Sequence, residues 1–243
     1  MAETLPDGPD LPWLHSDAHL LAVHKPAGLG VHRSALDAHA ATDVLTLLRA
    51  RGGLPLWPVH RLDKGTSGVL LLARDAHSAR LLGDALARPG TVHKRYLALV
   101  RGWPDTSGQT DQPLARDPEL PSTGQPLLPA STRWRVLKRW SLALTTGSHH
   151  ADTRLALLEV QPLSGRRHQI RRHFKQLAHP LIGDATHGKG PLNRALAAHL
   201  GLGRLWLHAL TLTLPHPADS RPLSLRAPPG PEWARWTTGI DGL

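Results

Sequence analysis

Apolar and polar positions alternate along the chain in a pattern that marks its elements. Leu20–Lys25 (LLAVHK) reads as a short strand closed by the turn Pro26-Ala-Gly28. Thr42-Asp43 is placed to cap a helix whose apolar stripe is Val44, Leu45, Leu47 and Leu48. Residues 68–73 (GVLLLA) are apolar without interruption, which predicts a strand buried on both faces. Asp75 to Arg88 reads as a helix with Leu81, Leu82, Ala85 and Leu86 on one face, and residues 92–100 as a further strand. Residues 153–160 and 204–214 predict two more strands. Between those two, Ile170, Phe174, Leu177 and Ala178 fall at i, i+4, i+7 and i+8, predicting a helix over Gly165–Ala178. Pro191 is suited to the first turn of another helix.

Two stretches break the pattern. Residues 104–130 contain six prolines and four acidic residues against one basic, so they read as a solvated insertion. Residues 215–231 contain six more prolines and are expected to form an irregular tail, running on to 243. Strands and helices mix without strict βαβ alternation. The expected class is therefore α+β with a largely antiparallel sheet. Residues 1–19 are expected to be an N-terminal extension, with one catalytic domain spanning 20–243.

Composition narrows the chemistry. The chain has 243 residues and no cysteine, which excludes disulfides, thiolate metal sites and cysteine nucleophiles. No apolar run approaches the roughly 18 residues of a membrane span. The N-terminal stretch carries Glu3, Asp7 and Asp10 and no early basic residue, so a cytoplasmic location is expected. Twenty-nine basic residues against 19 acidic give a net charge of +10, a surplus suited to a polyanion such as nucleic acid. The 17 histidines form no HExxH and no paired spacing with a nearby acid, His149-His150 sits in a loop, and no metal is expected. Gly183 to Gly190 resembles a phosphate loop for seven positions but has Gly190 where a magnesium-binding hydroxyl is needed.

Three segments carry candidate chemistry. Pro58 to Gly68 (PVHRLDKGTSG) sets Asp63 among His60, Arg61 and Lys64 at the mouth of the buried strand. A carboxylate beside cations stays ionised and can serve as base or nucleophile; an ordinary turn has the same composition. Ser164 to Lys175 (SGRRHQIRRHFK) holds five Arg and Lys residues and no acid, which favours an anionic partner over a solvated helix face. His93-Lys94-Arg95-Tyr96 holds the one tyrosine of the chain flanked by bases, which is either a stacking platform for a nucleobase or a core side chain.

Taken in order, these segments resemble the RluA family of pseudouridine synthases. The resemblance runs from about Leu20 to Leu214. It rests on HRLDKGTSGVLLLARD at 60–75, HKRYLALVRG at 93–102, Asp111-Gln-Pro-Leu114, SGRRHQIRRHFKQLAHPLIGD at 164–184 and LWLHALTL at 205–212. VHRS at 31–34, RRHQIRRH at 166–173 and GDATHG at 183–188 are similar to the tRNA-modifying TruC branch. Arg172 and His187 stand where most RluA relatives carry a β-branched residue and a tyrosine. The resemblance implies a mixed, mostly antiparallel sheet with flanking helices and a central RNA-binding cleft. It implies that Asp63 is the essential carboxylate, Tyr96 stacks on the target uracil, and Arg171 pairs with Asp63. It further implies that Leu207 lines the base pocket and that Arg61, beside His60, helps displace the base. Arg166, Arg167 and Arg172 would grip phosphates. The implied activity is isomerisation of a specific uridine, at position 65 of tRNA on the TruC resemblance, by a cytoplasmic monomer needing no cofactor. An rRNA uridine isomerase and a non-catalytic RNA-binding module are the alternatives.

Overall fold

The computed structural model describes residues 10–32, 42–52, 55–145 and 152–243. Arg33 and Ser34 of the VHRS motif, the His149-His150 pair and the first nine residues lie outside them. In chain order the elements are β1 (Trp13–Ser16), β2 (Leu20–Lys25), α1 (Val44–Gly52), β3 (Trp57–Pro58), β4 (Ser67–Ala73), α2 (Ala76–Ala87), β5 (His93–Arg101) and β6 (Ser107–Thr110). They continue with β7 (Leu114–Ala115), β8 (Leu127–Leu128), β9 (Thr132–Leu142), β10 (Thr153–Pro162), α3 (Gln169–Gln176), α4 (Gly190–Leu200), β11 (Leu207–Pro215), β12 (Pro222–Arg226) and α5 (Ala234–Thr237). The α+β class with mostly antiparallel strands is as expected. The chain divides into two compact units: Met1–Val92 with Ala209–Ala227, and His93–His208 with Pro228–Leu243.

In the first unit β2 lies between β1 and β4, antiparallel to both, and β12 runs antiparallel to β11. All seven residues of β4 are buried, as the continuous apolar run requires. Asp75 caps α2 by accepting Ser78 N–H at 2.7 Å, and Asp43 caps α1 by accepting Thr46 N–H at 2.9 Å. Strand β1 falls inside the stretch read as an extension. Strand β12 corrects the reading of the tail. Its prolines stand at the strand's start and beyond its end, where no ladder N–H is needed, while Leu225 between them is buried.

In the second unit β5, β10, β9 and β6 follow one another antiparallel. The insertion is more ordered than its composition suggests: β6 pairs with β9, and β7 with β8 makes a small hairpin. Beyond residue 227, Trp233 and Trp236 are buried and stack edge-on against Trp206 and Trp140, each pair with ring centroids 5.1 Å apart.

Helix α3 starts four residues later than its periodicity predicts. His168 has φ +54°, a left-handed conformation that cannot continue a helix backwards. The Gln169 side chain occupies the freed end, its Oε1 accepting from Arg166 N–H at 2.9 Å and Ser164 Oγ at 2.8 Å. Ala178, with φ +61°, lies just past the helix end. Arg166 and Arg167 therefore sit on a preformed turn rather than on the helix face that carries Arg171 and Lys175.

Candidate active site

In the first unit, the loop carrying His60, Arg61 and Asp63 is fixed at both shoulders. On one side His60 Nε2 accepts Leu71 N–H at 3.1 Å, tying the loop back to the strand it leads into. On the other side Thr66 N–H closes a tight turn on Asp63 C=O at 2.9 Å, and Lys64 C=O accepts Gly28 N–H at 2.8 Å. The Lys25 side chain is fully buried, and its Nζ donates to the carbonyls of Leu29, Pro26 and Lys64 at 2.7, 2.9 and 3.2 Å. One ammonium thus joins the Pro26–Leu29 turn to the turn that follows Asp63. A buried charge held by three carbonyl dipoles is a strong and costly device. The loop then enters β4 through Gly68, φ +114°, where an added Cβ would stand 2.2 Å from Ala209 C=O, so only glycine fits. Asp63 and His60 are half-buried, and Arg61 is exposed.

In the second unit, Tyr96 is half-buried on β5, opposite Val160, and packs on a cluster that contains Leu207, Ala98, Val100, Ile170 and Phe174. Tyr96 and Leu207 therefore share one apolar surface. Arg171 projects from α3 and is held by Asp184: Nε to Oδ2 at 2.7 Å and Nη2 to Oδ1 at 2.8 Å. Asp184 is fully buried, and its Oδ1 also accepts the N–H groups of Thr186 and His187. Burial alone would raise its carboxyl, but the Arg171 guanidinium and these N–H donors hold it below the usual carboxylate range. The segment that imitates a phosphate loop thus serves as a cradle for one arginine. His187 completes the network, its Nε2 3.1 Å from His168 Nδ1, and burial lowers its pKa to about 4.

The other arginines of the basic segment face the insertion. Arg166 Nε donates to Pro129 C=O at 2.9 Å and Arg172 Nη1 to Ala115 C=O at 2.9 Å. Arg167 pairs with both Asp117 and Glu119. The unmixed basic run has its mixed-sign partner some fifty residues earlier in the chain. Sequence reading missed Lys25 and the part played by Asp184. The opposite charges of the insertion and the 164–175 segment were the one signal for the Arg167 pairing.

Among the described residues one cluster has metal-like composition: His15, Asp17 and His216, with both Nε2 atoms 2.7–2.8 Å from Asp17 Oδ2. Ala218 N–H donates to His216 Nδ1 at 3.2 Å. A ring that accepts at Nδ1 carries its proton on Nε2, so His216 donates to Asp17 rather than offering a lone pair. The cluster is a hydrogen-bonded clamp on the first unit.

Comparison with known proteins decides the family. A family model described as RNA pseudouridylate synthase matches residues 19–176. The chain belongs to the RNA pseudouridylate synthase family. The tRNA pseudouridine synthase C of Vibrio cholerae is 40% identical over 219 residues, covering 88% of this chain and 89% of the relative. That of Salmonella typhi is 38% identical over 243 residues, covering 95% and 90%. Among solved structures, human RNA pseudouridylate synthase domain containing 1 matches with TM-score 0.68 and 26% identity, covering 90% of this chain and 84% of that one. Human domain containing 4 matches with TM-score 0.67 and 27% identity, covering 92% of each. The chain is thus an isomerase acting on RNA. No helix among its described residues is long and apolar enough to cross a membrane.

Proposed function

We propose that this enzyme converts a specific uridine of tRNA to pseudouridine, at position 65, in the cytoplasm. The observation that carries this reading is the 40% identity to a tRNA pseudouridine synthase C over nearly the whole of both chains. His187 and Arg172, where the sequence departs from most RluA enzymes, support the tRNA branch.

The reaction moves no electrons to a cofactor. The N1–C1′ bond of uridine breaks, the uracil turns within the pocket, a C5–C1′ bond forms, the C5 proton leaves and N1 takes one up. It asks for one ionised carboxylate, a surface that holds the detached base, and exclusion of water. Asp63 is the carboxylate, attacking C1′ or drawing a proton from the ribose. Its loop is anchored by Lys25 and His60, which keeps the carboxylate placed for reaction. Tyr96 and Leu207 hold the base, and Tyr96 takes part in loss of the C5 proton. Arg171, held by Asp184, has the positioning role that the family motif implies. Arg61, beside His60, helps displace the base from the RNA stack, and Arg166, Arg167 and Arg172 meet backbone phosphates. Taking a base out of its stack costs a few kcal/mol, which cationic contacts to phosphate offset.

The test is tritium release from C5-labelled uridine in unmodified tRNA and 23S rRNA transcripts assayed side by side. Release from tRNA alone is expected. Release from rRNA alone would move the substrate, and tight binding with release from neither would leave an RNA-binding module.

A further inference from the structure

The cations around Tyr96 differ in one respect. Arg95, on the opposite face of β5, pairs with Glu159 at 3.3 Å, and Arg171 pairs with Asp184. Lys94 has neither a hydrogen bond nor an ion pair to any described residue. Strand geometry sends positions 94, 96, 98 and 100 to one face. Tyr96, Ala98 and Val100 pack into the cluster that also takes Ile170 and Phe174 of α3, so Lys94 lies on the Tyr96 side of the sheet. Its Nζ is 3.9 Å from the point where a Cβ would stand on Gly165, in the turn that leads to α3. Burial lowers its ammonium pKa, and no anion acts to raise it. A half-buried ammonium with no counter-charge is unfavourable in the free protein. Arg95 and Arg171 show that this chain supplies carboxylates where a structural cation needs one.

We propose that Lys94 binds a phosphodiester oxygen of the nucleotide whose base stacks on Tyr96. This rests on the reading of Tyr96 as the base platform and adds the contact that fixes the backbone beside it. A lysine suits the task because a compact point charge accepts any approach of a phosphate oxygen. The contact is made only when RNA is present, so the residue is kept at the expense of stability.

The test measures the affinity of unmodified tRNA transcript for wild type, Lys94→Met, Lys94→Gln and Lys94→Arg from 50 to 200 mM KCl, with thermal melting of each free protein. In Lys94→Met and Lys94→Gln, binding weakens about tenfold. The slope of log affinity against log salt becomes shallower by ~0.7–0.9, the value of one phosphate contact. Both variants melt at or above the wild-type temperature, and Lys94→Arg keeps the wild-type slope. Unchanged affinity and slope with slower turnover would place Lys94 on the base and overturn the proposal. A lower melting temperature with unchanged slope would make it structural and overturn it equally. Because the slope is read from binding, absence of tritium release by wild type would count against the substrate reading alone.

Discussion

Arg171 and Asp184 form a buried, two-bond ion pair that links helix α3 to the turn before α4. The carboxylate is fully buried and takes four donors in all, two from the guanidinium and two from backbone N–H groups. Such a pair has one geometry, and breaking it leaves an uncompensated charge. Asp184→Asn is expected to lower stability by ~3–5 kcal/mol, measured by urea unfolding. Turnover of the folded fraction falls at least tenfold with RNA affinity little changed. Wild-type turnover in that variant would show that Arg171 needs no such support.

His187 makes stability depend on pH. Burial first, then the charges of Arg171, His168 and Lys175, lower its pKa to about 4, against the opposing pull of Asp184. The unfolded ring titrates near the ordinary value of about 6.5. Between those values the unfolded chain binds a proton that the folded chain refuses, so stability is full above pH ~6.5 and falls as pH drops toward 4. The expected loss is about 2–3 kcal/mol from this group. His187→Phe, unfolded in urea at pH 7.5 and pH 4.5, loses correspondingly less over the same interval. An unchanged difference between the two pH values would assign the effect to other groups.

Arg167 is paired with Asp117 and Glu119, two of the four acids of the insertion. On the proposed reading of Arg167 as a phosphate contact, these acids compete with the RNA for its guanidinium. Asp117→Asn with Glu119→Gln is expected to tighten tRNA binding about two- to fivefold at low salt, the scale of an exposed pair released. Filter binding at two salt concentrations measures it. Weaker binding would show that the pair braces Arg167 in its working position.

Lys25 joins the two turns around the Asp63 loop. Lys25→Met leaves buried carbonyls without their donor and is expected to cost ~2–4 kcal/mol of stability. In the folded fraction kcat falls more than KM rises, because the loop carrying Asp63 is loosened. Equal effects on both would remove Lys25 from the positioning of that loop.

Elements with a single strong period were legible along the chain. β4 announced itself by an unbroken apolar run, and α2 by its cap and stripe. β9 was not legible, because TRWRVLKRWSL alternates arginine with tryptophan and carries a bulge where its register to β10 shifts. The start of α3 was misjudged because periodicity cannot register a left-handed His168 or a glutamine that caps from within. For the site, the family motifs named Asp63, Tyr96 and Leu207 as candidates; in the structure Asp63 lies on an anchored loop, and Tyr96 packs on the cluster that contains Leu207. What holds them was hidden. Lys25 reads as the end of a strand, and Asp184 lies in a turn thirteen residues from the arginine it grips. No local pattern links residues that meet only after the chain has folded.

The central claim is that Asp63 performs the isomerisation. The most direct test is tritium release from C5-labelled tRNA under single-turnover conditions, comparing wild type with Asp63→Ala and Asp63→Asn, with the affinity of each measured on the same transcript. The account predicts release by wild type, none above background by either variant, and affinity within about threefold across the set, since a lost carboxylate removes no phosphate contact. Release by Asp63→Ala at a rate within threefold of wild type would contradict it.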